Sequence, residues 1–135
     1  MTTQRPGTDS GILIVDDHRA TVDLLLYLLN RAFPERAMRS AGSAEEALDL
    51  CRTTLPRLVI MDIGLPGASG IEAARQIKAL SPAVAVVMHS SHDHAVYREQ
   101  CATLGAEAFV SKSRTHADLI PAIARLLPQS PTAAA

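Results

Sequence analysis

Short apolar runs alternate along the chain with longer stretches in which apolar residues recur every three or four positions. Gly11-Ile12-Leu13-Ile14-Val15 is a β-branched run of the kind that forms a buried strand. Val22, Leu25, Leu26 and Leu29 then follow the spacing of one helix face, which predicts a helix over 20–32 that Pro34 prevents from continuing. A weaker strand is expected over 36–41. Ser43 with Glu46 has capping-box spacing and launches a helix carrying Ala47, Leu48 and Cys51. Leu58 to Asp62 is the clearest strand. Ser69 with Glu72 repeats the capping-box spacing ahead of a helix lined by Ile71, Ala74 and Ile77. A fourth strand is expected over 84–90 and a helix over about 93–104, closed by Gly105 as C-cap. A fifth strand follows over 108–112. Thr115 starts a last helix with Leu119, Ile123 and Leu127 inward; Pro121 implies either a late start near Asp118 or a kink.

Five strand–helix alternations predict an α/β fold: a doubly wound parallel sheet of five strands with helices on both faces. Such sheets bind ligands at the carboxyl ends of their strands, beside the switch in strand order. The polar residues collect at that edge. The first strand ends in Asp16-Asp17, the third in Asp62, the fourth in Ser90-Ser91 and the fifth in Lys112. A single Asp after a strand is ordinarily a turn or cap residue, but four apolar strands each delivering polar groups at one edge argue for a site.

In a flavodoxin-like strand order, 2-1-3-4-5, the first and third strands are neighbours, so Asp16, Asp17 and Asp62 share a pocket. Two unit charges about 4 Å apart repel by about 4 kcal/mol at an effective dielectric near 20. Three clustered carboxylates therefore call for a cation, and an all-oxygen set suits Mg²⁺. Gly64 can offer its carbonyl unobstructed, Lys112 can pair with the carboxylates or with an added phosphoryl group, and a hydroxyl at the fourth strand can bond a phosphoryl oxygen. These parts suit phosphoryl transfer, yet no GxxxxGK[ST] or GxGxxG nucleotide cradle is present. The phosphoryl group is thus expected from outside, with Asp62 as the carboxylate nucleophile.

Composition narrows the alternatives. The 135 residues suggest one domain, and 47% hydrophobic with 20% charged residues describes a globular chain. A net charge of −1 gives no electrostatic argument for broad nucleic-acid or membrane binding, and scarce aromatics with no Trp speak against stacking platforms for single-stranded nucleic acid. Cys51 and Cys101 lie far apart outside any CxxC pattern and read as buried reduced thiols. Residues 1–10 and 128–135 are read as loose tails flanking a domain at 11–127. With no apolar signal-peptide core at the start and no apolar run of membrane-spanning length, a cytoplasmic location is expected. His89, His92 and His94 crowd the fourth strand end, but without HExxH or a cysteine at ligand spacing they read as surface histidines rather than a zinc site. His18 could reach the acidic pocket or be a loop residue. A hydrolase is disfavoured by the absence of GxSxG.

The motifs "ILIVDDH", "LVIMDIGLPGASGIE", "VVMHSS" and "GAEAFVSKS", in that order over roughly 11–127, resemble the receiver domain of bacterial two-component response regulators, most closely the NarL type. The resemblance implies that Asp62 accepts a phosphoryl group from a sensor histidine kinase or histidine phosphotransfer protein. It implies that Asp17, Asp62 and the Gly64 carbonyl hold Mg²⁺, with Asp16 acting largely through a water. It also implies that Ser90 and Phe109 are the switch residues and that Lys112 stands beside the phosphate. Gly64 and His92, each two positions past a key residue, are expected to tune hydrolysis. Residues 93–127 are the expected surface for a downstream protein or output domain. Two departures stand out: Ser113 occupies the position where most receivers have proline after the lysine, which favours a trans bond, and the sequence stops at "PQSPTAAA", where a linker to a DNA-binding domain would begin, so it is either a stand-alone receiver or a piece cut at that linker; direct nucleic-acid binding by these residues is not expected. The competing reading is a pseudo-receiver that never takes phosphate and serves as a binding scaffold. An enzyme on the same fold, a flavodoxin or a haloacid-dehalogenase-like phosphatase, would want a hydroxyl-rich loop or Asp-x-Asp after the first strand, where this chain has adjacent aspartates.

Overall fold

The computed structural model describes residues 7–127. In chain order the elements are β1 (Gly7–Thr8), β2 (Ile12–Val15), α1 (Arg19–Ala32), β3 (Met38–Ala41), α2 (Ala44–Thr53), β4 (Thr54–Leu55), β5 (Leu58–Met61), α3 (Gly70–Leu80), β6 (Ala85–Ser90), α4 (Ala95–Leu104), β7 (Ala108–Ser111) and α5 (Ile120–Leu126). The main sheet is parallel, in the order β3-β2-β5-β6-β7. Counted over its own five strands this is the 2-1-3-4-5 winding expected from the sequence.

Side-chain alternation divides the core in two, because neighbouring residues of a strand face opposite sides of the sheet. Leu13, Val15, Val59, Met61, Val86 and Met88 face one way and pack with residues of α2, α3 and α4. Ile12, Ile14, Leu58, Ile60, Val87 and Val110 face the other way, against Val22, Leu25 and Leu29 of α1 and Ala122 and Ile123 of α5. The central strands are buried on both faces, which is why they read as continuous apolar runs rather than alternating ones.

Several local expectations are refined. The segment read as a loose N-terminal tail, 1–10, is tied down at Gly7–Thr8, which pair in parallel with Thr54–Leu55; residues 1–6 and the tail expected over 128–135 lie outside the described residues. Ser43 caps α2 by accepting from the Glu46 amide at 3.1 Å, but Glu46 reaches back to the Gly42 amide at 2.8 Å, one residue before the cap. Ser69 caps α3 through the Ile71 amide at 3.1 Å, and Glu72 pairs with Arg75 instead of closing a capping box. Gly105 ends α4 with φ of 95°, as a left-handed C-cap requires. Neither reading of Pro121 is complete. The chain leaves β7 through a 3₁₀ turn at Lys112–Arg114 and a wide π-type turn at Thr115–Leu119. Regular α5 begins only at Ile120, with the proline in its first turn, where a missing donor is tolerated.

Gly70 shows how tightly α3 is seated. A Cβ there would lie 1.7 Å from the Asp62 carbonyl oxygen, so the helix start rests directly on the main chain at the end of β5. Cys51 and Cys101 are buried free thiols, and burial pushes both above the ordinary thiol range. Among the described residues no helix is long and apolar enough to cross a membrane.

Candidate functional site

Parallel in-register pairing brings the strand ends together. Val15 of β2 is opposite Met61 of β5, so the residues that follow, Asp16 and Asp62, emerge side by side. Ser90 of β6 is opposite Ser111 of β7, and Lys112 comes next. Asp16 and Asp62 are buried despite their charge, which demands compensation. Lys112 supplies part of it: its Nζ lies 2.9 Å from Asp16 Oδ2 and 3.1 Å from Asp62 Oδ2. Burial alone would lower the Lys112 pKa, but bonding and attraction to Asp16 and Asp62 outweigh it and hold the ammonium above its ordinary value. Asp62 Oδ1 accepts from the Gly64 amide at 3.3 Å.

Asp17, at the exposed rim, completes the acidic group. His18 closes it from outside, with Nδ1 3.1 Å from Asp16 Oδ1 and 3.3 Å from Asp17 Oδ1. One donor atom each from Asp16, Asp17, His18 and Asp62 fall within 4.8 Å of one another. Three carboxylates against one ammonium leave negative charge uncompensated; Asp16 Oδ2, buried, has the Lys112 ammonium at 2.9 Å as an ion-pair partner but no geometrically formed hydrogen bond among the described residues. An oxygen-rich pocket with three carboxylates for one ammonium fits a hard divalent cation.

The remaining expected residues form the rim. Ser90 is buried, and its Oγ accepts from the His92 amide at 3.0 Å. The His92 ring lies over Gly64: a Cβ on that glycine would come within 2.9 Å of His92 Cε1. His92 also meets Tyr97 edge-on, with centroids 5.6 Å apart. Phe109 is half-buried on β7 beneath the Arg98 guanidinium, 4.4 Å from the ring centroid. Of the expected residues, then, Asp16, Asp17, Gly64, Asp62 and Lys112 converge, while Ser90, His92 and Phe109 stand one step outward.

Three features escaped sequence reading. His89, read there as a surface histidine, is buried on the α1/α5 side of β6, with Nε2 2.8 Å from Thr115 Oγ1. Thr115 donates its own hydroxyl to the Lys112 carbonyl at 3.0 Å. The Ser111 hydroxyl reaches the Asp93 carboxylate at 2.9 Å and lies 2.9 Å from Ser113 Oγ, tying the loop before α4 to the strand that delivers Lys112. The third is the Gly70 approach described above. The peptide at Lys112–Ser113 is trans, since the described residues contain no cis bond, in keeping with serine at that position.

Comparison with known proteins places the fold in a family. The chain is 38% identical over 117 residues to the transcriptional activator protein ExaE of Pseudomonas putida, an alignment covering 87% of this chain and 55% of that protein. It spans about half the length of the curated relatives it matches. A LuxR-family two-component response regulator from Aurantimonas superposes with a TM-score of 0.80 at 33% identity, covering 96% of this chain and 93% of the other. The response regulator TrrA of Thermotoga maritima, solved in complex with Mg²⁺–BeF, superposes with a TM-score of 0.77 at 28% identity, covering 88% of this chain and 100% of that one. Residues 12–124 match the family model of the response regulator receiver domain, and the chain belongs to that family: it is a receiver domain of two-component response regulators.

Proposed function

We propose that Asp62 is the phosphoacceptor. The observation that carries this is the placement of its buried carboxylate between the Lys112 ammonium and the Gly64 amide, beside two further carboxylates. In the transfer, an Asp62 oxygen forms a bond to phosphorus as the P–N bond of a phosphohistidine breaks, and the donor imidazole leaves neutral after taking up a proton. The donor is a sensor histidine kinase or a histidine phosphotransfer protein. Lys112 offsets the charge on the transferring group and holds Asp62 in line; such preorganised charge stabilisation is the main lever in phosphoryl transfer.

Mg²⁺ is the cation we assign to the pocket, with Asp17, Asp62 and the Gly64 carbonyl as ligands and Asp16 acting through a water. The acidic cluster and its excess negative charge over Lys112 support this, as does the Mg²⁺–BeF complex of the Thermotoga relative. When bound, the ion neutralises charge on the phosphoryl oxygens. Any catalysis by the chain is confined to its own phosphorylation and dephosphorylation. His92, lying over Gly64, limits water access and so sets the lifetime of the phosphorylated form.

Phosphorylation adds negative charge next to Ser90 and shifts the balance between two conformations. Ser90 and Phe109 transmit the shift to residues 93–127, which contact a downstream protein or an output domain. Relatives named as transcriptional activators or regulators favour an output in gene control, exercised through that partner rather than by direct nucleic-acid contact from this chain. The domain working in this way is 11–127, and we place it in the cytoplasm. Incubation with Mg²⁺ and acetyl phosphate, followed by intact mass, tests the assignment. The wild type gains the mass of one phosphoryl group and Asp62→Ala gains none; equal labelling of both removes Asp62 from the role. A wild type that stays unlabelled by every donor, with unchanged partner binding, would instead favour the phosphorylation-independent scaffold.

A further inference from the structure

His89 is out of place by composition. It occupies the α1/α5 face of β6, two residues after Val87 and opposite Val110 of β7, both members of the apolar cluster on that side, and is 1% exposed. An aliphatic side chain would suit that position at no polar cost. The imidazole is also only half satisfied: Nε2 bonds Thr115 Oγ1, while Nδ1 is buried with no partner among the described residues. Thr115 has a single hydroxyl proton, and it goes to the Lys112 carbonyl. Its oxygen must therefore accept from the imidazole, so Nε2 carries the proton and Nδ1 the lone pair. Burial, reinforced by the nearby Lys112 charge, depresses the imidazole pKa to about 4, which keeps this tautomer neutral.

The chain Nε2–H···Oγ1–H···O=C thus runs from the middle of the sheet to the main chain of the residue whose ammonium touches Asp16 and Asp62. It lies where the backbone needs holding. Lys112 opens a 3₁₀ turn, Ser113 carries no ring to stiffen the next peptide, and the wide turn at Thr115–Leu119 follows. The geometry points to His89 and Thr115 as positioning residues for Lys112, a buried hydrogen-bond relay that fixes the lysine carbonyl and thereby aims its ammonium at Asp62. For function, this rests on the phosphoacceptor reading of Asp62. Placing a charged group to a fraction of an ångström matters because a misplacement of roughly 1 Å can cost on the order of a hundredfold in rate.

Three variants of the full chain test the relay: Thr115→Val, which keeps the shape and loses the hydroxyl, Thr115→Ser, which keeps the hydroxyl, and His89→Met. Two readouts are needed. The first is the side-chain ¹⁵N and ¹³C resonance of Lys112 in the unphosphorylated protein. The second is beryllofluoride affinity with Mg²⁺. Thr115→Val should move the Lys112 signals toward those of a solvent-exposed, unpaired lysine and weaken beryllofluoride by roughly tenfold, and Thr115→Ser should restore both. In a Lys112→Ala background, Thr115→Val should cause no further loss. Unmoved Lys112 signals in Thr115→Val, or an equal loss with and without Lys112, would overturn the relay. If Thr115→Val fails to fold, His89→Met is read by the same two criteria. A wild type that binds no beryllofluoride defeats the phosphoacceptor reading, and the Lys112 resonances still decide the relay.

Discussion

Asp62 and His89 show two ways a buried polar residue is tolerated. Asp62 is compensated by Lys112 and the Gly64 amide, whereas His89 leaves one nitrogen unpaired, at a cost of roughly 1–3 kcal/mol. The His89 pKa of about 4 lies below the 6.5 of a free imidazole, so between those values the unfolded chain holds a proton that the folded one lacks. Stability therefore rises with pH through that window and is lost as pH falls toward 4, by an amount on the order of 2–3 kcal/mol. Urea unfolding at pH 7 and pH 5 should show this slope, and His89→Met should flatten it; an unchanged slope in the variant would assign the pH dependence to other groups. At the rim, His92→Ala uncovers Gly64 and should shorten the half-life of the phosphorylated form several-fold, while Gly64→Arg must displace the His92 ring. Decay rates equal to wild type in both would remove His92 from this role. Asp16, Asp17, Asp62 and Lys112 were legible because strand ends are marked by the change from apolar to polar residues. His89 and Thr115 were not, because they are 26 positions apart and nothing local signals that they meet.

Helix starts were readable as capping residues, but not the partners those residues choose. Ser43 has the expected bond to the Glu46 amide, and Ser43→Ala should cost about 1 kcal/mol in chemical denaturation; a loss below a few tenths would mean that Glu46 and the Gly42 amide carry that end alone. Ser69 bonds two residues on instead of three, and Glu72 is drawn to Arg75, since local spacing permits either pattern and the final loop geometry decides. The last helix was the hardest to place. Its periodicity runs back to Thr115, yet the turn widens before Ile120 as the chain leaves the lysine and Thr115 engages Lys112 and His89. Gly70 carries no periodic signal, and its importance lies in its contact with Asp62. Gly70→Ala must push α3 away from β5, so a loss of about 2–3 kcal/mol is expected; an unaltered melting temperature would show that the helix has slack.

Over the whole molecule, the parallel winding was predictable because both faces of the sheet are covered, so that β2 and β5 are uniformly apolar and β6 is broken only by His89 and its terminal serine. The same winding gathers acidic residues at one edge and leaves them undercompensated by Lys112. A divalent ion that binds only the folded pocket stabilises it by mass action, by about 1 kcal/mol at roughly five times its Kd. Mg²⁺ should accordingly raise the melting temperature of the wild type reversibly with EDTA, and Asp17→Ala should remove most of the gain; equal gains in both would place the ion elsewhere. The two flanks of that edge are unlike. On the α3 side, helix and Asp62 main chain meet with no room for even a methyl group. Toward α4, the contacts are hydroxyls and ring edges: Ser90 with His92, Ser111 with Asp93. One flank is a jamb and the other a latch. With no slack at Gly70, a displacement of Asp62 is expected to be taken up on the latch side, so a glycine on the opposite flank sets the direction in which the molecule should yield.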